Sequence, residues 1–165
     1  MNVKVTNFLP VKIQQTLTTD TSAYGNGDVL VATVAVPVIS GYSGGKPVRF
    51  RIDQIGLIDT AVQNGALDIV ILDSDVSMGN KVNEAVGITD ANVVNVVKVI
   101  NVTASNYNTL KAADNSVANV DLAAPIYVTS TNGSFYLALI SRDTKTYAAS
   151  SLTFRAQVTV LNSDV

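Results

Sequence analysis

Asp73 and Asp75 close an apolar run and are followed by Asn80 and Asn83. Carboxylate and amide oxygens gathered in one loop are the start of a Ca²⁺ site, which needs about six to eight oxygen ligands. The acid-terminated spacing of an EF-hand is absent, because Gly79 and Glu84 stand at the wrong intervals. A solvated turn is the simpler reading. Two-carboxylate hydrolysis is the enzyme class that needs neither His nor Cys. Its general acid would fall to Glu84, the one Glu in the chain, which has no aromatic near it in sequence to desolvate it. Asp53 and Asp59 form a second pair on paper, of a kind that any β-rich chain carries by chance. The segment Gly41-Tyr42-Ser43-Gly44-Gly45-Lys46 looks superficially like a phosphate loop. It lacks the glycine-to-lysine spacing, and Pro47 stands where a helix should begin, so it reads as a turn.

Composition narrows the chemistry further. The 165 residues include no His, no Cys and no Trp. Groups that titrate near neutral pH, attack as thiolates or ligate transition metals are therefore largely missing. No catalytic residue, cofactor or metal ligand is assigned, and the expectation is a protein that is not an enzyme. A net charge of −2 and a sequence pI near 4.8 argue against a nucleic-acid partner. The one basic cluster, Lys46, Arg49 and Arg51, is too small to hold a phosphate backbone. The N-terminus has no apolar core of a signal peptide, and the apolar stretch Val29 to Ile39 is too short to span a membrane. Asn101-Val-Thr103 and Asn132-Gly-Ser134 match the glycosylation pattern and read as chance matches. Zero Cys suits assembly in a reducing cytoplasm.

Six tyrosines remain. Tyr24, Tyr42, Tyr107 and Tyr147 lie in or beside turn clusters, where a ring can either stack on a sugar or pin a loop to the body of the domain. Pinning is the simpler expectation. Tyr127 and Tyr136 fall within strand patterns and are expected in or just under the core.

What must position these residues is a set of strands. Val11, Ile13 and Gln15 alternate with Lys12 and Gln14; Val29 to Val38 is a near-continuous apolar run released by the turn Gly25-Asn26-Gly27-Asp28. Val48, Phe50 and Ile52 alternate with Arg49, Arg51 and Asp53, and Ile55, Leu57 and Ile58 extend that strand past an expected bulge at Gly56. Leu67, Ile69 and Ile71 form another. Ser77 to Asn92 reads as a loop, with Thr89 to Asn92 able to cap one helical turn. The Val density after it favours a strand from Val96 to Val102, and Thr103 to Asp121 reads as a long loop with at most an edge strand. Ile126 to Thr129, Ser134 to Ser141 and Leu152 to Leu161 complete the pattern. The expected fold is all-β: a two-sheet antiparallel β-sandwich, jelly-roll-like, of about eight strands, in one domain spanning residues 1–165. Its inward-facing residues should include Phe50, Ile52, Leu67, Ile69, Ile71, Leu137, Leu139, Phe154 and Val158. Residues 1–10 alternate Val3 and Val5 with Lys4 and Thr6, and Pro10 separates them from the first strand. They read equally well as a first strand or as an attachment arm.

Three local patterns go beyond class. They are Ser22-Ala-Tyr-Gly-Asn-Gly-Asp-Val29, then Leu67-Asp-Ile-Val-Ile-Leu-Asp-Ser-Asp75 with Ile88-Thr-Asp-Ala-Asn92, then Phe135-Tyr-Leu-Ala-Leu-Ile-Ser-Arg-Asp-Thr-Lys-Thr-Tyr147. In this order and spacing the chain resembles a family of tailed-bacteriophage capsid-associated decoration (auxiliary, head-stabilising) proteins with a jelly-roll-like sandwich. The resemblance implies a structural virion protein on the capsid surface, assembled in the host cytoplasm. Its partner would be the major capsid protein, with homo-oligomers, a trimer among them, allowed. The alternative is a fibre- or spike-associated sandwich that binds carbohydrate or a receptor through its Tyr-bearing loops.

Overall fold

Residues of period two in the sequence become strands with one face inward, and the computed structural model, which describes residues 10–42, 46–79, 81–111 and 114–161, contains ten of them among those residues. They are β1 (Pro10–Leu17), β2 (Val29–Pro37), β3 (Val48–Asp59), β4 (Leu67–Leu72), β5 (Val96–Val102), β6 (Tyr107–Lys111), β7 (Asn115–Val120), β8 (Ile126–Ser130), β9 (Ser134–Ser141) and β10 (Leu152–Val160). One helical turn, α1 (Asp90–Val93), precedes β5. The larger sheet runs β1-β10-β3, and β3 then pairs with β8 through its first half and with β7, followed by β6, through its second. The smaller sheet runs β2-β9-β4-β5, and every pairing is antiparallel. Without β6 and β7, these two four-stranded orders are those of a jelly roll. The hairpin β6–β7 is an insertion between β5 and β8.

All nine residues expected to face inward are fully buried. Phe154 of β10 meets Phe135 of β9 edge-to-face, with centroids 6.2 Å apart at 68°, so an aromatic pair joins the two sheets. The middle strands of the smaller sheet are buried on both faces. Their outward residues Val70, Leu72, Tyr136, Ala138 and Ile140 form a second apolar cluster with Met78. Val76, Val86 and Ile88 pack onto it. The stretch expected to be a loop, residues 77–92, is therefore a cover over the smaller sheet rather than a solvated tether. It is tied down by Gly87 N donating to Met78 O (2.9 Å) and Asn83 N to Val29 O (2.8 Å). At Gly79, φ is +106° and an added Cβ would run into the Gly87 backbone, so only Gly fits the crossing.

Three expectations need correction. The bulge in β3 lies at Asp53–Gln54, not Gly56: Gln157 pairs with Gln54, but the next residue, Val158, pairs with Ile52. This extra residue sits where β3 changes partner from β8 to β7. Asp53 stabilises it by accepting hydrogen bonds from Arg51 Nε (2.7 Å) and Thr159 Oγ1 (2.8 Å). Residues 103–121 are not a long loop. They contain a 3₁₀ turn (Ala104–Asn106) and the β6–β7 hairpin, which raises the strand number above eight. The hairpin is held by main-chain pairing to the second half of β3; it buries little besides Tyr107, Ser116 and Ala118, and Leu110 is 71% exposed. Tyr127 points outward, 47% exposed, with the Arg49 guanidinium 5.1 Å from its ring centre, whereas Tyr136 is buried as expected. The turn after Thr89 is helical, though the Thr89 side chain makes no capping bond.

Candidate functional site

At one end of the sandwich the loops after β3 and β9 close over a polar cluster. β3 ends in Asp59, which is fully buried. Its two carboxylate oxygens accept from the backbone N–H groups of Ala61 (2.9 Å) and Asn64 (3.0 Å). Those bonds hold a tight turn in which Val62 (φ 51°) and Asn64 (φ 48°) are both left-handed. For a β-branched residue such as Val62 that conformation is strained. The Asn64 side-chain oxygen accepts from the Ser116 hydroxyl, which fastens the turn to β7. Asp143, after β9, accepts from Ala66 N–H through Oδ2 (2.9 Å).

Two phenols cap this cluster. Tyr107 and Tyr147 are both buried, and Tyr147 meets Tyr24 edge-to-face at 6.1 Å. Burial pushes both hydroxyls well above the ordinary phenol range. The Asp59 and Asp143 carboxylates add to the rise at Tyr107. At Tyr147 the neighbouring Tyr107 and the same two acids add to it, while the Gly65 N–H opposes it. Phenols held protonated in this way do not serve as bases or nucleophiles near neutral pH. The Tyr107 hydroxyl and Asp143 Oδ1 are buried without a hydrogen-bond partner among the described residues. Chemically the cluster is a clasp: it fixes loop backbone to the end of the fold.

That clasp has a pH signature. A phenol whose folded pKa is raised contributes stability that is complete below its unfolded pKa, about 10, and is lost as pH rises from there towards the folded value. The denaturation midpoint is thus expected to fall above about pH 10 as these groups ionise. Tyr107→Phe should change little at pH 7, because it removes a hydroxyl that has no partner. It should also soften the alkaline fall. Denaturant titrations of both proteins across pH 7 to 11 check this; an unchanged alkaline fall in the variant would remove Tyr107 from the account.

The residues singled out in the sequence are dispersed. Asp73 accepts from its neighbour Ser74, and Asp75 is exposed. Asn83 lends its backbone to Val29, and Asn80 lies outside the described residues. Glu84 pairs by its main chain with Val29 and accepts from Lys81 N–H (3.4 Å). Among the described residues no three acidic groups converge on one point. Asp53 and Asp59 serve different places, a bulge and a turn. Residues 43–45 of the glycine-rich turn lie outside the described residues; beside them, the Tyr42 hydroxyl donates to Lys46 O. Of the basic cluster, Arg51 is committed to Asp53 and Arg49 to Tyr127. The side-chain nitrogens of Asn101 and Asn132 donate to Asp68 and to the Tyr136 hydroxyl (2.6 Å). The loop tyrosines pin, as expected: Tyr24, Tyr107 and Tyr147 are buried, and Tyr42 is half-buried.

One interaction has no counterpart among the sequence expectations. Asp68 in β4 is 3% exposed, on the outward face of the smaller sheet, and accepts from Arg142 and Asn101. The signal was an acid inside an otherwise apolar strand, Leu67-Asp-Ile-Val-Ile-Leu72, which can be buried only with a partner.

No protein-family model matches the chain, and no curated protein does. Among solved structures it is similar to one from Desmodium yellow mottle tymovirus, at 11% identity and a TM-score of 0.28, covering 100% of this chain and 97% of that one. A turnip yellow mosaic virus structure gives 10% identity and a TM-score of 0.27, covering 100% and 88%. One of the infectious bursal disease virus Gt strain gives 14% and 0.21, covering 94% of this chain and 43% of that one. All three come from viruses. Likenesses this slight decide nothing about the role of the chain, and the jelly roll stands on its own strand order.

Proposed function

We propose that this chain is a non-catalytic structural protein of a virion, one that binds over a capsid lattice and reinforces it, as the resemblance to tailed-bacteriophage decoration proteins implies. Its partner on this reading is the major capsid protein, and copies of the chain itself are a second partner. The observation that carries the reading is the border of the larger sheet. β1 keeps eight consecutive pairs with β10 on one side and pairs with no described strand on the other. The border strands β2, β5 and β6 each have a broken register, a device that discourages further pairing. β1 has none. The segment before it, residues 1–9, lies outside the described residues; in its sequence Val3 and Val5 alternate with Lys4 and Thr6, and Pro10 follows it. Strand addition at such a border gains main-chain hydrogen bonds without a specialised pocket, and many weak contacts add through multivalency.

The glycan-binding alternative draws little support, because the loop tyrosines it needs are turned inward. Deleting residues 1–9 is expected to leave a folded domain that no longer sediments with capsids. A truncated protein that unfolds would assign the segment to the domain's own sheet. Unchanged capsid binding would place attachment on the loops.

A further inference from the structure

The outward face of the larger sheet carries a groove whose floor is set by strand register. Gln14 of β1 lies opposite Arg155 of β10, Arg155 opposite Gly56 of β3, and Gly56 opposite Asn119 of β7. One step along, Lys12 lies opposite Gln157, and Gln157 opposite Gln54. These two cross-strand rows line a depression of about 410 Å³. Cross-strand neighbours stand close enough to act on one ligand together. Gly56 makes the depression, because it leaves the middle of the first row bare. The Arg155 guanidinium lies over that gap, with Nη2 3.4 Å and Nε 3.8 Å from where a Gly56 Cβ would stand.

Two features separate this patch from an ordinary wet sheet face. Arg155 Nε is buried and has no hydrogen-bond partner among the described residues. A buried donor left unpaired is costly, and a site that leaves one is poised to gain when an acceptor arrives. The groove also holds two cations and no carboxylate, while the ion pairs among the described residues lie elsewhere, at Arg51, Lys111 and Arg142.

We propose that this groove binds an extended acidic segment of a partner protein, with a Glu or Asp carboxylate on Arg155 and Lys12. A guanidinium fork matches the two oxygens of a carboxylate. The amides of Gln14, Gln54, Gln157 and Asn119 each carry donor and acceptor atoms, which suits the alternating N–H and C=O groups of an extended peptide. An acidic sugar fits less well, because no aromatic ring lines the groove to stack on it. The site is independent of the virion reading, and its failure would leave that reading standing.

The test uses the isotope-labelled full chain and NMR of its arginine Nε–H and side-chain amide signals. Three probes are titrated: the capped peptide Thr-Val-Glu-Val-Thr, the same peptide with Gln for Glu, and an oligomer of glucuronic acid. The acidic peptide is expected to shift the Arg155 Nε–H and the four amides in a saturable way, with the Gln peptide at least about tenfold weaker. Arg155→Met, on an outward face and so expected to fold, should abolish the shifts, and Arg155→Lys should weaken them. The proposal is overturned by no shift at millimolar peptide, by equal binding of the Gln peptide, or by tighter binding of the sugar acid. Full binding by a folded Arg155→Met protein would overturn it as well.

Discussion

Truncating Phe154 to Ala should cost about 3 to 5 kcal/mol of folding stability, a large share of the 5 to 15 kcal/mol typical of a domain. Phe154 is fully buried in β10, the strand between β1 and β3, and its ring touches Phe135 across the sandwich. Removing it opens a cavity between two sheets whose backbones are fixed by ladders, so the surroundings have little freedom to collapse. Denaturant unfolding measures the loss directly, and a value below roughly 1 kcal/mol would mean that the inward face of β10 is misassigned. A double-mutant cycle with Phe135→Leu should show coupling of about 0.5 to 1.5 kcal/mol, the part due to ring geometry rather than area.

The second large effect is expected at Arg142. Breaking a buried ion pair costs about 3 to 5 kcal/mol when the remaining charge is stranded. Here the Asp68 side chain is 4% exposed, but that of Arg142 is 43% exposed. Solvent already screens the cation and can reach part of the site once the guanidinium is gone. Arg142→Met should therefore cost about 2 to 3 kcal/mol, below the fully buried range. Replacing both residues, Asp68→Leu with Arg142→Met, should recover most of that loss, since no charge is left stranded and Asn101 is exposed enough to be hydrated. A double variant as unstable as the single one would show that the pair adds more than it costs to bury. Thermal or denaturant melts of the three proteins distinguish these outcomes.

Most of the sandwich was legible because its strongest strands have one wet face or one continuous apolar run. Phe50 and Ile52, or Phe154 and Val158, could face only one way. The β6–β7 hairpin was not legible, because its stability lies in a partner. Leu110 faces out while Ser116 faces in, so its side chains carry no period that a single strand would show. The β3 bulge was half legible. The inward set 48, 50, 52 resumes at 55 and 57, a jump of three that marks an extra residue, although Gly56 is the more familiar signal of a bulge. Tyr127 and Tyr136 sit in equally strand-like surroundings; only the partner decides which is covered, and for Tyr136 it is the segment carrying Met78. Of the candidate site, the acids in turns were visible, but Asp59, Tyr107, Asp143 and Tyr147 converge from four separate places between residues 59 and 147. Nothing local announces it.

The place of β10 also governs when this fold can form. β1 and β3 are made before β10, yet neither pairs with the other; β10, the last of the ten strands in chain order, enters between them. Until then the larger sheet has no centre, and β1 lacks its one pairing partner among the described strands. The smaller sheet waits in a similar way, since β2 and β4 meet only through β9. Productive folding is thus postponed until β10 has been made, and such non-local pairing is slow, with times of about milliseconds to seconds. During that interval the apolar runs of β2 and β4 are open to other chains. Nascent copies crowded on one message would meet each other before they meet their own last strand, which makes growth temperature and expression rate strong levers on soluble yield.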